Sequence, residues 1–134
     1  MHAAQAQKEI FVNEALAKLD GLLHLTVEGE IDTPPANPID GEAWIIGSAP
    51  TGDWANHAGE IAMRQSGNWL FATLREGMIA FDKTAGQLAR YDGEWLRASP
   101  VAAPVSGSTV DAEARAAIGN ILTALASAGI LPTS

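Results

Sequence analysis

Ser66-Gly67-Asn68-Trp69-Leu70 and Asp92-Gly93-Glu94-Trp95-Leu96 repeat one pattern, a glycine turn followed at once by a tryptophan. They stand at a constant offset that also carries Arg64 onto Arg90, and Asp40-Gly41-Glu42-Ala43-Trp44 is a looser third copy. A small hairpin unit therefore recurs, and repeated Trp-bearing hairpins build binding and assembly modules more often than catalytic centres. Working outward, turns at Gly47, Thr51-Gly52, Gly59, Glu76-Gly77 and Ala85-Gly86 divide the surrounding chain into short strands over 43–46, 60–65, 68–74, 78–82, 87–91 and 94–97. This spacing predicts an antiparallel meander or small sandwich, with connections too short for parallel crossovers. Alternation puts Trp69 and Phe71 on one face of their strand and Ile79 and Phe81 on one face of theirs. Those faces are the expected core.

On the amino-terminal side, Val12, Ala15, Leu16, Leu19, Leu22 and Leu23 fall on one stripe of an α-helix spanning 3–23. Gly21 is expected to end or loosen this helix, and 23–28 reads either as its continuation or as a first strand, with strand favoured. Residues 32–41 contain Pro34, Pro35 and Pro38, which fix φ and remove amide donors, so this stretch is an extended surface connector. On the carboxy-terminal side, the Pro/Ala/Ser/Gly composition of 99–108 marks a linker. A final helix is expected to begin at Thr109 as N-cap, with Asp111 and Glu113 in its first turn, and to stop at Gly129 ahead of Pro132. Ala114, Ile118, Ile121 and Leu125 recur there at steps of three and four, a seam widened by Leu122. A tethered helix of this kind suits docking among symmetry-related chains, so Ala114, Ile118, Ile121, Leu122 and Leu125 are the candidate oligomer interface. The expected organisation is α+β: an amino-terminal helical segment (1–31), a connector (32–41), a small antiparallel β module (42–98), a linker (99–108) and an amphipathic association helix (109–134).

The 134 residues fit one domain, and 47% of them are apolar, enough for a compact core. Sixteen acidic against eight basic residues leave a net charge of -8, which repels phosphate backbones and anionic lipid. Nucleic acid is not expected as a partner. With no cysteine, the chain has no disulfide framework, thiolate metal site or cysteine nucleophile. No apolar run approaches the ~20 residues of a membrane span, so no membrane insertion is expected. Residues 1–8 lack the basic start and apolar stretch of a secretory signal, and synthesis in the cytoplasm follows as the expectation.

No residue set announces chemistry. His2, His24 and His57 are scattered rather than paired at metal-ligand spacing, so no metal is expected. Asp53, Glu60, Asp82, Asp92 and Glu94 would serve a glycosidase only as a facing pair in a cleft, and turn or surface positions explain them better. The serines lack a Gly-x-Ser-x-Gly elbow, and the glycine-rich phrases lack a Lys-Ser or Lys-Thr sequel, so neither a hydrolase nor a nucleotide cofactor is indicated. The candidate ligand contact is the polar loop 51–59. There Trp54 is expected to be exposed enough to stack on a sugar ring, with Asp53, Asn56 and His57 as hydrogen-bonding neighbours; the alternative is that Trp54 folds back as a lid over the sheet. Trp44, Trp69 and Trp95 follow strand patterns and are expected to be buried.

Several phrases in order resemble a domain of unknown function that recurs in tail-fibre and related particle proteins of prophages and gene transfer agents. They are Ala4-Gln5-Ala6-Gln7-Lys8, Asn13-Glu14-Ala15-Leu16, Pro34-Pro35, Gly41-Glu42, Trp44-Ile45-Ile46, Thr51-Gly52-Asp53-Trp54, Gly59-Glu60-Ile61-Ala62, Gly67-Asn68-Trp69 and Arg75-Glu76-Gly77. The resemblance covers residues 4–95, and 111–125 is similar to short terminal helices of phage structural proteins. It implies a non-enzymatic virion component engaged in assembly or host attachment, made in the bacterial cytoplasm, associating with itself as a homotrimer and with other particle proteins. Ile118 and Ile121 are compatible with more than two strands, while the trimeric order rests on the resemblance alone. Because members often form part of longer fibres, a shaft absent here or carried by another protein is also expected. A lectin-like module that binds cell-surface glycan through Trp54 and its loop is the alternative role.

Overall fold

The computed structural model describes residues 3–132, with the side chains from Gln5 onward; His2 and residues 133–134 lie outside this range. Two helices and eight strands follow in the order α1 (Ala3–Leu23), β1 (Thr26–Val27), β2 (Glu30–Ile31), β3 (Ala43–Ile46), β4 (Ile61–Gln65), β5 (Asn68–Ala72), β6 (Ile79–Asp82), β7 (Gln87–Tyr91), β8 (Trp95–Arg97) and α2 (Ala112–Ser127), with a 3-10 turn at Gly52–Trp54. The strands form two four-stranded sheets, ordered β1-β6-β7-β8 and β2-β3-β4-β5. The fold is α+β.

Each sheet is a three-stranded antiparallel meander with one further short strand added in parallel, β1 beside β6 and β2 beside β3. The parallel pairs correct the purely antiparallel expectation. Residues 28–29 carry the chain from one sheet to the other, so a single stretch supplies the first strand of both. The proline-rich connector, extended and free of ladder obligations, is long enough to return from β2 to the start of β3 without a crossover helix. It is pinned by Thr51 N–H donating to Asp32 O (2.9 Å), Ala49 N–H to Asp32 Oδ1 (3.0 Å) and Gly67 N–H to Asp40 Oδ1 (3.0 Å).

The recurring hairpin is real in space. The offset that carries Arg64 to Arg90 also carries β4 (Ile61–Gln65) onto β7 (Gln87–Tyr91). The two copies then diverge by one residue. Between β4 and β5 the turn is Ser66-Gly67 with both φ values positive (50° and 74°), a two-residue hairpin that pairs Trp69 with Arg64. Between β7 and β8 the turn holds one residue more, and Trp95 pairs with Tyr91. A one-residue slip moves a side chain to the opposite face, so Trp95 packs against the core between the sheets while Trp69 faces away from it. A Cβ at Gly67 would meet nothing within 4 Å, so the strain of its left-handed backbone dominates the effect of Gly67→Ala. This substitution is expected to lower unfolding free energy by about 1–2 kcal/mol in urea titration.

The core between the sheets is built from Leu25, Val27, Ala43, Ile45, Ile61, Met63, Ala72 and Ala80, with Leu22, Leu70, Leu74 and Trp95 at its margin. A second, smaller cluster lies on the far side of β3–β5, where Trp44, Ile46, Trp54 and Ala62 are buried beneath the loop 47–60. Covered on both faces, β3 is buried throughout, which is why Ala43-Trp44-Ile45-Ile46 is an unbroken apolar run. The other sheet inverts the expected facing. Ala80 and Ala89 point inward, whereas Ile79 and Phe81 are 55% and 38% exposed.

Helix α1 keeps its expected span although Gly21 does not end it, and helix α2 starts later than expected. Helix α1 runs through Gly21 to Leu23, and Gly21 serves close approach, since a Cβ there would collide with Sδ of Met63. Helix α2 is capped by Asp111 rather than Thr109: Asp111 Oδ1 accepts from Ala114 N–H at 2.9 Å, satisfying a free amide of the first turn. Gly129 closes α2 as expected, at φ 72°, with its own N–H bonded to Ala126 O and that of Ile130 to Leu125 O.

Candidate interaction surfaces

The loop 47–60 is the longer of two equivalent connections, since β6 and β7 are joined by residues 83–86 alone. Its single 3-10 turn drives Trp54 inward. Trp54 is 0% exposed and stands 6.2 Å from Trp44 and 5.1 Å from Trp69 between ring centroids; the Trp54–Trp69 pair is edge-on at 81°. Such tilted geometry is the favoured one for aromatic rings. The expected exposed stacking ring is therefore absent, and Trp54 is a lid. The signal that misled was the polar composition of the loop, which hides one large apolar residue among side chains turned to solvent.

The other loop residues are not drawn into one site. Asp53 and Asn56 are exposed, Asn56 with φ 71°. His57 is half-buried, stacked on Phe71 at 3.6 Å with its Nδ1 2.7 Å from Glu60 Oε2, so one ring face and one ring nitrogen are already engaged. The lid is also tied to the opposite sheet, since Trp95 Nε1–H donates to Gly59 O at 3.3 Å. Arg64 lies 5.0 Å above the Trp69 ring at the rim of the cluster.

Several carboxylates are paired with bases belonging to the fold. Asp82, expected at a turn or surface, is 3% exposed and accepts from Arg97 Nε at 2.8 Å and from Ala85 N–H at 3.0 Å. Arg97 Nη2 sits 2.6 Å from the same carboxylate as an ion pair, and Nη1 reaches Glu30 Oε2 at 2.9 Å, so one guanidinium joins β8 to β6 and β2. Lys83 holds Glu28 at 2.7 Å, and Arg90 holds Asp92 at 2.9 Å. Among the described residues no group of three or more His, Asp or Glu side chains is placed to hold a metal, and no described helix is long and apolar enough to cross a membrane.

The expected seam of α2 is divided by its surroundings. Arg115, Gly119, Leu122 and Ala126 turn toward the protein, and Arg115 donates to Pro104 O and Ser106 O of the linker. Leu122 lines a cleft of about 650 Å³ between α2 and Pro100, Val101 and Ala103. Ala114, Ile118 and Ile121 remain exposed, and Leu125 is half-buried. The end of the helix is anchored: Gly129 O accepts from Leu88 N–H, and Ile130 adjoins Leu88 and Leu96 on the outer face of β7 and β8. The larger exposed apolar surface is on α1, where Ile10, Phe11, Val12, Leu16, Leu19 and Leu23 are each more than half exposed.

A family model described as a protein of unknown function, DUF2793, matches residues 12–96, more than half of the chain. The matched span takes in most of α1 and both sheets and leaves α2 outside. No curated protein matches the chain.

Proposed function

The chain belongs to the DUF2793 family, and we propose that it is a non-enzymatic structural component of a phage or phage-like particle, serving assembly or attachment to the host surface. One observation carries the reading. The paired sheets bury their own core and close one outer face with their own lid, while both flanking helices leave large apolar side chains in solvent. Leaving such surface uncovered is unfavourable by roughly 25 cal/mol per Å², and extended apolar patches of this kind mark contacts with other chains. The resemblance of the ordered phrases to tail-fibre and related particle proteins supplies the context, and a trimer is the order that this resemblance implies. The acidic balance, -8 per chain, favours mutual repulsion of copies outside the contact itself.

The glycan-binding alternative gains nothing from the geometry, because Trp54 offers no ring face and His57 is stacked on Phe71. The structural reading is tested in a bacterium carrying the gene. Particles banded on a density gradient are expected to contain the chain, and gold-labelled antibody to mark their surface. A chain confined to the particle-free fraction contradicts it.

A further inference from the structure

We propose that α1 is the self-association element: Val12, Leu16, Leu19 and Leu23 of one chain pack against the same seam of further copies. This rests on the self-associating role above and transfers the principal contact from α2 to α1. The spacing is four, three, four, the alternation that keeps one stripe facing a partner helix and sets knobs into holes. All four residues are exposed, at 55%, 58%, 61% and 68%.

The chain cannot cover this seam with its own sheets. With 3.6 residues per turn, Ala17 and Gly21 lie on the side of α1 opposite the seam and meet the β module, where Gly21 abuts Met63, while Leu22, at the edge of the apolar stripe, packs on the core between the sheets. Orientation is thereby fixed. A sheet contact at the end of α1 turns the leucine stripe outward along the helix.

A second copy is the occupant that the chemistry favours. A membrane-surface helix would border its apolar stripe with lysine and arginine, whereas this helix carries Glu9, Glu14 and Asp20 beside Lys8 and Lys18, within a chain of net charge -8. Beside the seam stand Ala15 and Phe11, widening the apolar arc to about 140° at 100° per residue. An arc wider than a two-helix seam suits a bundle in which each helix touches two neighbours. Phe11, Val12, Leu16, Leu19 and Leu23, each more than half exposed, form one continuous apolar face, the kind of surface that an interface of ~800 Å² per partner covers. Residues 12–23 also lie inside the span shared with the family, and α2 does not.

The full chain tests this by light scattering at about 50 µM, a concentration at which micromolar association is visible. The wild type is expected to be oligomeric, Leu16→Glu/Leu19→Glu to fall to the mass of one chain with unchanged tryptophan emission, and Ile118→Glu/Ile121→Glu to keep the wild-type mass. Retention of wild-type mass by the α1 variant overturns the inference and leaves a self-associating role intact. A monomeric wild type overturns both. Because the chain has no cysteine, Leu16→Cys guards against a misfolded variant: alone or mixed equally with Leu19→Cys, it is expected to form interchain disulfides under mild oxidation at least tenfold faster than Gln7→Cys. Equal rates at the two positions contradict the seam.

Discussion

Trp54→Ala is expected to be the most damaging single substitution in the lid, lowering unfolding free energy by about 3–5 kcal/mol, the range for truncating a fully buried tryptophan. The ring is 0% exposed and lies within 6.2 Å of both Trp44 and Trp69, so its removal uncovers the outer face of β3 and β4 and leaves a cavity that the two remaining indoles cannot fill. Urea titration followed by tryptophan emission reads the loss directly. Trp54→Phe sharpens the argument. Trp54 Nε1 is buried without a hydrogen-bond partner among the described residues, and a phenyl ring removes that donor while keeping most of the apolar volume. The phenylalanine variant is therefore expected to lose less than half as much stability as the alanine variant. Equal stability of Trp54→Ala and wild type would show that the loop does not act as a lid.

Asp82→Ala is expected to lower stability by about 3 kcal/mol, because it leaves the Arg97 guanidinium partly buried with only Glu30 to balance it. Asp82 is 3% exposed and also accepts the Ala85 N–H that closes the turn between β6 and β7, so two functions are lost together. The double substitution Asp82→Leu/Arg97→Met removes both charges, and apolar replacement of a buried pair is commonly near neutral. Thermal unfolding of Asp82→Leu, Arg97→Met and the double variant is expected to show strong non-additivity, with the double closer to wild type than Asp82→Leu. Additive losses would mean that the pair does not act as a unit.

The recurring hairpins were legible because the phrases around Trp69 and Trp95 lie at one offset, and that offset maps β4 onto β7. The fates of the two tryptophans were not legible. They depend on a single extra residue in the second turn, which inverts the facing of every residue beyond it. The parallel pairs escaped for a different reason: β1 and β2 are two residues each, too short for alternation to register, and β1 is held in place by the core that Leu25 and Val27 complete. Ile79 and Phe81 misled because alternation identifies a face without saying which side of the sheet is filled. Alanine at 80 and 89 gives close sheet packing, and the bulky residues are left outside.

The candidate surfaces were partly legible. The four-three-four spacing of α1 stands in the sequence, but its direction is set by Gly21 abutting Met63 and Leu22 packing on the core, which leave the leucine stripe in solvent. For α2, the periodicity was correct, whereas the linker, held by Arg115, claims the side bearing Leu122. The polar composition of the loop 51–59 does not register the burial of Trp54, because burial of one indole is a property of the sheet beneath it.

The measurement that bears most directly on the account is the mass of the intact chain in solution at tens of micromolar. A closed oligomer, with mass a whole multiple of the single chain and independent of further concentration, is the predicted result. A single-chain mass up to the highest attainable concentration, with the leucines of α1 protected from solvent by the chain's own sheets, would contradict it.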